Sequence, residues 1–315
     1  MSGNDPRRWL RDARRAMARL PSLRMTRVPD APALPVRDPW PGDPGRGARL
    51  IKGEMELGGA VRMLRPGGWS DPAGPDLLRA AAHGFAWLRD LRALGTDAAR
   101  LRARALVADW IATSPNDALA HRPDVVGARI TAWLGHYDFF AATADDPFRQ
   151  KLMGRLVSDA RSLSAALPAE ELDGRALTAL KGLIAAAVAL PEHAGFLTRA
   201  LRFLPQEITR QVLPDGCHVE RSPAIQLAAL QDLTEIRALL QASQTQPPPA
   251  LNNAIERMAP ALRVLRHGDG GLALFNGSKE ENGNLIDLVL TQAGRGGRGP
   301  SSLVDGGFQR LQAGR

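Results

Sequence analysis

The feature that most constrains this chain is a succession of helix-length apolar stretches between residues 75 and 267. In each stretch, apolar residues recur at helical spacing, and short joints rich in Pro, Gly or Asp separate one stretch from the next. The stretches cover residues 75–95, 98–113, 124–143, 148–167, 175–190, 194–212, 223–243 and 248–266. About eight helices of similar length, with short loops and no fixed-period repeat, predict a bundle or a closed ring of helix pairs.

The segments on either side of this helical body have a different character. Residues 1–27 contain the sequence RRWLRDARRAMARL at 7–20, which predicts a short basic amphipathic helix. The next segment is residues 28–74, and its first part, up to residue 49, is dense in Pro and Gly. This composition predicts an extended strap over the body, anchored by Trp40. In residues 268–315 the runs GGLALFNGS and NLIDLVLTQ predict short strands, which we interpret as the start of a β-rich domain that the chain does not complete. The body between these segments is the domain at 75–267.

The positive charge is concentrated at the N-terminus. The formal net charge is +8, yet residues 1–50 hold eleven arginines and five aspartates, a net of +6, which leaves +2 for the other 265 residues. Only four of the 41 basic residues are lysine, and an arginine bias raises the isoelectric point without adding charge. A nearly neutral body argues against a nucleic-acid partner. The 7–20 helix fits either a membrane surface or docking on the body.

Several classes of protein and site are excluded. The single cysteine, Cys217, rules out an internal disulfide and an all-cysteine zinc site. No familiar metal-ligand spacing and no glycine-rich phosphate loop is present, so we predict no metal and no cofactor. No secretory signal and no apolar run of ~18 residues is visible, which by itself predicts a cytoplasmic location.

The most concentrated polar cluster is QVLPDGCHVERSP at residues 211–223. Alternation along an extended segment predicts that His218 and Glu220 lie on one side, where they form a candidate acid/base pair. Arg221 is a candidate for bidentate binding of a substrate carboxylate. The alternative is that Glu220 and Arg221 form a structural ion pair. Asp215–Gly216 signals a turn before them.

The end of this cluster carries a helix-start signal, because Ser222 is a candidate N-cap and Pro223 a candidate first helical residue. Elsewhere, the only tyrosine, Tyr137, is a candidate for proton transfer or a core residue. His83, Trp87 and Arg129 combine aromatic and basic groups that suit sugars with acidic substituents, and they are candidates to line a groove.

The stretch DGCHVERSPAIQLAALQDL at 215–233 resembles the DG-x-x-x-ERSP-x-Tyr-His segment of the heparinase II/III family of polysaccharide lyases. HGFAWLRDLRAL at 83–94, RITAWLGHYDFF at 129–140 and LDGRALTALKGLIAAAVAL at 172–190 are also similar to that family's helical domain. The resemblance implies a mainly α fold: an incomplete (α/α) toroid of helical hairpins, followed by the start of an antiparallel β-sandwich that is truncated here. It also implies β-elimination on a uronic-acid-containing polysaccharide, an acidic polysaccharide partner and a periplasmic or cell-envelope location.

This sequence departs from the family pattern where the chemistry is carried. The family's catalytic Tyr and the His after it fall on Ile225 and Gln226, and the family's Asn-His pair falls on Gly174 and Arg175. Two hypotheses therefore lead, ahead of a third, a cytoplasmic or membrane-surface assembly protein tethered by residues 7–20. The first is a lyase in which His218 and Tyr137 transfer protons and the substrate is bound by Arg175, Glu220, Arg221, Arg129 and Trp87. The second is a non-catalytic module, either acidic-glycan-binding or associated with the cell envelope.

Overall fold

The computed structural model describes residues 28–168, 175–190, 195–294 and 299–311. Within these residues the chain is mostly helical, with twelve α-helices and two short antiparallel strand pairs. The chain divides into two compact units, one made of Met1–Glu170 with Gly182–Arg199 and the other of Glu171–Lys181 with Ala200–Arg315.

Among the described residues, seven helices lie wholly in the first unit. They are α1 (Pro44–Ile51), α2 (Asp76–Gly84), α3 (Leu88–Leu94), α4 (Asp97–Thr113), α5 (Pro123–Gly135), α6 (Tyr137–Phe140) and α7 (Asp146–Ala166). A hairpin that the sequence does not predict follows α1. Its strands β1 (Glu54–Leu57) and β2 (Ala60–Met63) pair antiparallel, with Glu54 opposite Met63.

The remaining elements lie at least partly in the second unit. Helices α8 (Arg175–Ala189) and α9 (Gly195–Gln211) each contribute residues to both units. Helices α10 (Pro223–Ala242), α11 (Pro249–Val264) and α12 (Gly283–Ala293) belong to the second unit alone. So does a final hairpin in which β3 (Ser302–Leu303) pairs with β4 (Phe308–Gln309).

Helix starts follow local sequence signals. The Asp43 Oδ1 atom accepts the backbone N–H of Gly45 at 2.7 Å in the first turn of α1. The Thr96 Oγ1 atom accepts the N–H of Ala99 at 3.2 Å in the first turn of α4. A cap of this kind stabilises a helix by ~1 kcal/mol. Because apolar periodicity and caps are local, all eight predicted helical stretches are helical in the structure.

Two of the predicted stretches are each broken into two helices. Phe85, at φ 59°, separates α2 from α3, and His136 separates α5 from α6. A left-handed backbone is unfavourable for a bulky residue. Phe85 adopts it because its ring is completely buried, with ring centres 5.6 Å from Trp69 and 5.2 Å from Trp133. Tertiary packing therefore sets a break that periodicity does not show.

The predicted strand at NLIDLVLTQ is wrong, because this run forms helix α12. One helical face of it is buried, at Ile286, Val289, Leu290 and Ala293. Asn282 caps the helix by accepting the N–H of Asn284 at 2.9 Å. The other predicted strand run, GGLALFNGS, takes part only in a single bridge between Arg266 and Leu272 among the described residues.

The Pro/Gly-rich segment carries no helix or strand from residue 28 to residue 43, but α1 begins at Pro44, where irregular structure was predicted. Pro44 occupies the first helical position, whose N–H has no helical partner to lose. Trp40 is 1% exposed, in agreement with its predicted role as an anchor.

Three further predictions concern the N-terminal helix, membrane-spanning helices and the division into segments. The helix predicted at 7–20 lies outside the described residues. No helix within residues 28–168, 175–190, 195–294 or 299–311 is long and apolar enough to cross a membrane. The division into four segments at residues 27, 74 and 267 stays a prediction.

Candidate functional site

The polar motif at 211–223 forms a tight loop between α9 and α10 in the second unit. A β-bridge joins Val212 to His218, and the N–H of Leu213 donates to the carbonyl of Cys217 at 2.9 Å. The N–H of Gly216 donates back to the carbonyl of Leu213 at 2.9 Å, so the predicted turn is present at the tip. The motif is therefore a small hairpin that leads directly into α10.

Asp215 and Gly216 fix this turn by different means. Gly216 has φ 84°, and a Cβ atom there would lie 2.2 Å from the carbonyl oxygen of Arg257 on α11. Only glycine fits this backbone and this close approach. The Asp215 carboxylate accepts the N–H of Cys217 at 2.9 Å and the N–H of Gly306 at 2.8 Å. One side chain thus joins the loop to the β3–β4 hairpin.

His218 is 0% exposed, and both of its ring nitrogens are hydrogen-bonded. Its Nδ1 atom accepts the N–H of Glu220 at 3.2 Å, so Nε2 carries the proton and donates to the Gln211 side-chain oxygen at 3.2 Å. Burial lowers the pKa of His218 below its ordinary value. The predicted placement of His218 and Glu220 on one side is wrong, because Glu220 is exposed while His218 points into the protein.

Gln226 holds the loop from inside α10. This side chain is 1% exposed; its oxygen accepts the N–H of His218 at 2.7 Å, and its amide donates to the carbonyls of Gly216 at 2.9 Å and Met258 at 3.2 Å. The sequence alone indicates only that histidine is missing at this position. A structural role could have been inferred from the place of Gln226 in the first turn of a helix that follows a polar loop, because a side-chain amide can bond both backbone N–H and backbone C=O groups.

The start of α10 is capped by a different serine from the predicted one. Ser222 occupies the N-cap position, but its side chain makes no capping hydrogen bond. The Oγ atom of Ser278 instead accepts the N–H of Ala224 at 2.9 Å and lies 3.1 Å from the Ser222 Oγ atom. Pro223 is the first helical residue, as predicted. The loop is therefore tied to the segment that contains Ser278.

Arg221 is exposed and has a left-handed backbone at φ 54°. Its guanidinium carbon lies 5.4 Å from the centre of the Phe308 ring, which is cation–π distance. No carboxylate among the described residues pairs with this guanidinium. The alternative of a Glu220–Arg221 ion pair is therefore wrong, whereas the predicted role of Arg221 in binding a carboxylate stays open. Arg175, the first residue of α8, is also exposed.

The first unit contains the other three predicted site residues. Arg129 is 0% exposed; it donates to Asp159 at 2.8 Å and to the carbonyl of Ala120 at 3.0 Å. Its guanidinium carbon lies 4.2 Å from the centre of the Trp110 ring. The prediction that Arg129 lines a groove is therefore wrong, because its guanidinium is buried in the core and paired with Asp159.

Trp87 and Tyr137 are buried as well, at 7% exposure each. The indole N–H of Trp87 donates to the carbonyl of Ala82 at 3.2 Å. The Tyr137 hydroxyl has no hydrogen-bond partner among the described residues, and burial raises its pKa. Trp87, Arg129 and Tyr137 belong to one unit, while His218, Glu220 and Arg221 come together in the other. Their substrate and catalytic roles stay predictions.

A family model described as the heparinase II/III N-terminus matches residues 100–294, more than half of the chain. The chain belongs to the heparinase II/III family. A curated relative, FtsZ-localized protein C from Caulobacter vibrioides (strain NA1000 / CB15N), is 31% identical over 281 residues, which are 88% of this chain and 48% of that protein.

Solved structures of the family have the same fold. Heparinase III aligns with a TM-score of 0.66 at 15% identity, over 90% of this chain and 48% of the other. The heparan sulfate lyase HepC from Pedobacter heparinus aligns with a TM-score of 0.56 at 17% identity, over 94% and 52%. The fold-class prediction, a mainly helical chain of the heparinase type, is confirmed. The chain spans about half the length of the relatives it matches.

In this heparinase II/III chain, the two positions where the family motif has its catalytic Tyr and His carry neither a phenol nor an imidazole. Ile225 is a half-buried aliphatic residue, and Gln226 is the buried amide described above. The Gly174 position lies outside the described residues. The motif residues Asp215 and Gly216 remain and build the loop: Asp215 accepts two backbone N–H groups and Gly216 fits against α11. Gln226, which departs from the motif, hydrogen-bonds the backbone of the same loop.

Two other kinds of site receive no support. Among the described residues no group of three or more His, Cys, Asp or Glu side chains could hold a metal ion. Cys217 is 1% exposed, and burial together with Asp215 raises the pKa of its thiol to about 11. A buried thiol that stays protonated at neutral pH is a poor nucleophile.

Proposed function

We propose that this chain is a non-catalytic member of the heparinase II/III family, a binding module that localises with FtsZ. The observation that carries the proposal is Gln226. It stands where the family motif has histidine, and its side-chain oxygen and amide are hydrogen-bonded to the backbone of His218, Gly216 and Met258.

The chemistry of uronate β-elimination explains why this observation matters. The proton removed lies next to a carboxylate and is weakly acidic, so a positioned base must take it and a positioned acid must protonate the leaving oxygen. An amide and an aliphatic side chain can do neither. A histidine at position 226 would also have to replace an acceptor and two donors, which one imidazole cannot do in a fixed tautomer.

Localisation with FtsZ is suggested by the relative named FtsZ-localized protein C, which matches most of this chain. The similarity to heparinase III and HepC supports the fold alone. A non-catalytic heparinase fold that acts by binding is compatible with both comparisons, and it corresponds to the second hypothesis from the sequence.

The competing candidate is a lyase acting on acidic polysaccharide. The observation in its favour is that Arg175 and Arg221 are both exposed, as carboxylate binders must be. His218 and Tyr137 are the proton-transfer groups in this candidate. Both are buried, so a sugar proton reaches them only if the structure around each residue opens.

An assay of product absorbance separates the two candidates. The chain is incubated with heparan sulfate, alginate and other uronate polysaccharides, and the unsaturated uronate product is followed in the ultraviolet. We expect no product under conditions in which a known lyase reacts. Product formation would refute the non-catalytic proposal, and loss of that product in His218→Ala or Tyr137→Phe would then identify the proton-transfer group.

Localisation is tested in cells. A fluorescent fusion of the chain is imaged together with labelled FtsZ, and the fluorescent protein alone serves as the control. We expect the fusion to overlap with FtsZ beyond the overlap of the control. A fusion that distributes as the control does would contradict this half of the proposal.

A further inference from the structure

A cation set among exposed apolar side chains marks one surface of the second unit. We call the contacting residues Arg221, Phe275 and Phe308 the Arg221 patch. Leu274, next to Phe275, and Val219, two residues before Arg221, are exposed apolar residues near it in sequence. Exposure is 41% for Val219, 55% for Leu274 and 36% for Phe275. The rings of Phe275 and Phe308 lie 5.1 Å apart, and the Arg221 guanidinium lies over the second ring.

Three chain segments hold the patch in place. The side-chain amide of Asn276 donates to the carbonyl of Arg221 at 2.6 Å, and both residues have left-handed backbones, at φ 50° and φ 54°. The Ser278–Ser222 contact and the Asp215–Gly306 hydrogen bond tie the same segments together. Asn276, which tolerates a left-handed backbone, thus holds the strained Arg221 in place, and such a prearranged surface lowers the entropy lost on binding.

We propose that the Arg221 patch binds a protein segment that carries a carboxylate next to aromatic or aliphatic side chains. The argument is charge complementarity. The Arg221 guanidinium is held over a phenyl ring, and no carboxylate of the described residues pairs with it, so an acidic partner can supply the anion in a bidentate arrangement. Arginine and phenylalanine are also enriched in protein interfaces.

Two exposed aliphatic residues close to the patch in sequence favour a protein over a glycan. Val219 and Leu274 are exposed hydrocarbon that is stabilised by removal from water. Apolar side chains of a peptide cover such residues, whereas a charged, polyhydroxylated sugar chain keeps its own groups hydrated beside them. A glycan can satisfy the arginine but leaves Val219 and Leu274 uncovered.

The inference rests on the proposed function only in treating the chain as a binding module. Its test uses the purified chain and selected peptides, without FtsZ and without a lyase substrate. A chain that binds acidic peptides through the patch but does not localise with FtsZ refutes the localisation alone. The converse result refutes the patch alone.

The experiment selects peptides from a random display library on the full chain and measures their binding by fluorescence anisotropy. We expect enriched peptides to place Asp or Glu beside Phe, Leu, Ile or Trp. Arg221→Asn should weaken their binding about tenfold, which corresponds to ~1.4 kcal/mol. Replacing the peptide carboxylates with amides should weaken binding to the unmodified chain by a similar factor. The same replacement should weaken binding to Arg221→Asn little further, because the arginine that pairs with the carboxylate is already absent.

Asparagine is chosen because it tolerates the left-handed backbone at position 221. Arg202→Asn is the matched control, since Arg202 is also exposed and lies over a phenylalanine ring, that of Phe203, at 5.8 Å. Binding to this control should match the unmodified chain. Phe308→Leu is a second variant that retains apolar volume without the ring, and it should weaken binding as well.

Several outcomes would overturn the proposal. One is a selection that enriches no acidic, apolar peptides. Another is peptide binding that Arg221→Asn leaves unchanged. A third is Arg221-dependent binding of heparan sulfate or alginate with no peptide binding, which would assign the patch to a glycan.

Discussion

Two regions of this molecule bury polar side chains, and they do it in opposite ways. Around Arg129 in the first unit, full charges are buried and compensated by other charges. In the motif loop of the second unit, neutral groups are buried and compensated by hydrogen bonds. The first arrangement is costly to break because a charge is left behind, whereas the second is costly because several backbone groups lose their partners at once.

The charged region is organised around one carboxylate. Asp159 accepts from Arg129 at 2.8 Å and from Arg155 at 2.9 Å, and the guanidinium carbons of these arginines lie 4.2 and 4.6 Å from the Trp110 ring centre. Burial alone would raise the pKa of Asp159, but the two arginines lower it below its ordinary value. The carboxylate is therefore ionised and essential to the balance of charge.

Among the residues that the structure describes, the centre of the neutral region has no comparable ion pair. His218 is a neutral imidazole, and Gln226 joins it to the backbone of Gly216 and to α11 through Met258. The comparison teaches that position 226, where the family motif has histidine, carries backbone hydrogen bonds of the loop in this chain.

The largest expected effect comes from removing the central carboxylate. Asp159→Ala leaves Arg129 buried without its counter-ion and should lower the free energy of unfolding by ~3–5 kcal/mol. Urea denaturation followed by circular dichroism measures it. The control is Asp76→Ala, which removes a pair between Arg79 and a carboxylate that is 77% exposed and should cost less than ~1 kcal/mol. Equal losses in the two variants would refute the assigned role of the buried charge.

Removing the amide of the neutral region should cost less. Gln226→Leu leaves the N–H of His218 and the carbonyl of Gly216 without this hydrogen-bond partner and should lower the free energy of unfolding by about 3 kcal/mol. Gln206→Ala, at an exposed position on α9, is the control and should change it by less than ~0.5 kcal/mol. If Gln226→Leu is as stable as the unmodified chain, Gln226 is not the clamp of the loop.

Sequence reasoning recovered the helices because their signals are local. Periodicity and caps such as Asp43 and Thr96 lie within one turn of the helix they define. It failed at Phe85, whose left-handed backbone depends on tryptophans far along the chain, and at α12, whose short apolar run fits a strand as well as a helix. Such ambiguity is resolved only by which face the tertiary structure buries.

The sequence predicted where the candidate site lies in the chain, but it did not predict the directions of the side chains there. The motif located the loop correctly and suggested a turn at Gly216. It could not show that His218 points inward, because alternation assumes an extended strand, and here the loop turns back on itself and Arg221 is left-handed. It could not place Arg129 in the core, since an arginine on a helix is read as exposed unless its buried partner, Asp159, is known.

A smaller effect separates backbone strain from steric contact in the loop. Gly216→Ala should lower the free energy of unfolding by about 2 kcal/mol, because the new Cβ meets a positive φ and the Arg257 carbonyl together. Gly59→Ala is the matched control, with φ 81° but no atom within 4 Å of the new Cβ, and should cost only ~1 kcal/mol. Equal costs would show that the loop moves freely away from α11.

The smallest effect concerns the protonation of a histidine next to the charged region. His83 is 0% exposed, accepts the indole N–H of Trp110 at 3.0 Å and contacts Asp117, and burial lowers its pKa to about 4. The unfolded chain binds this proton near pH 6.5, so between pH 6.5 and 4 the unfolded state holds more protons and stability falls as the pH falls. The contribution of His83 is at most ~1.4 kcal/mol per pH unit. His136 and His218, whose pKa values burial also lowers, add slope of the same sign.

His83→Gln keeps an acceptor for Trp110 and should reduce the slope of unfolding free energy against pH in this window without abolishing it. An unchanged slope would show that the histidine is protonated alike in both states, and that its burial does not control its charge.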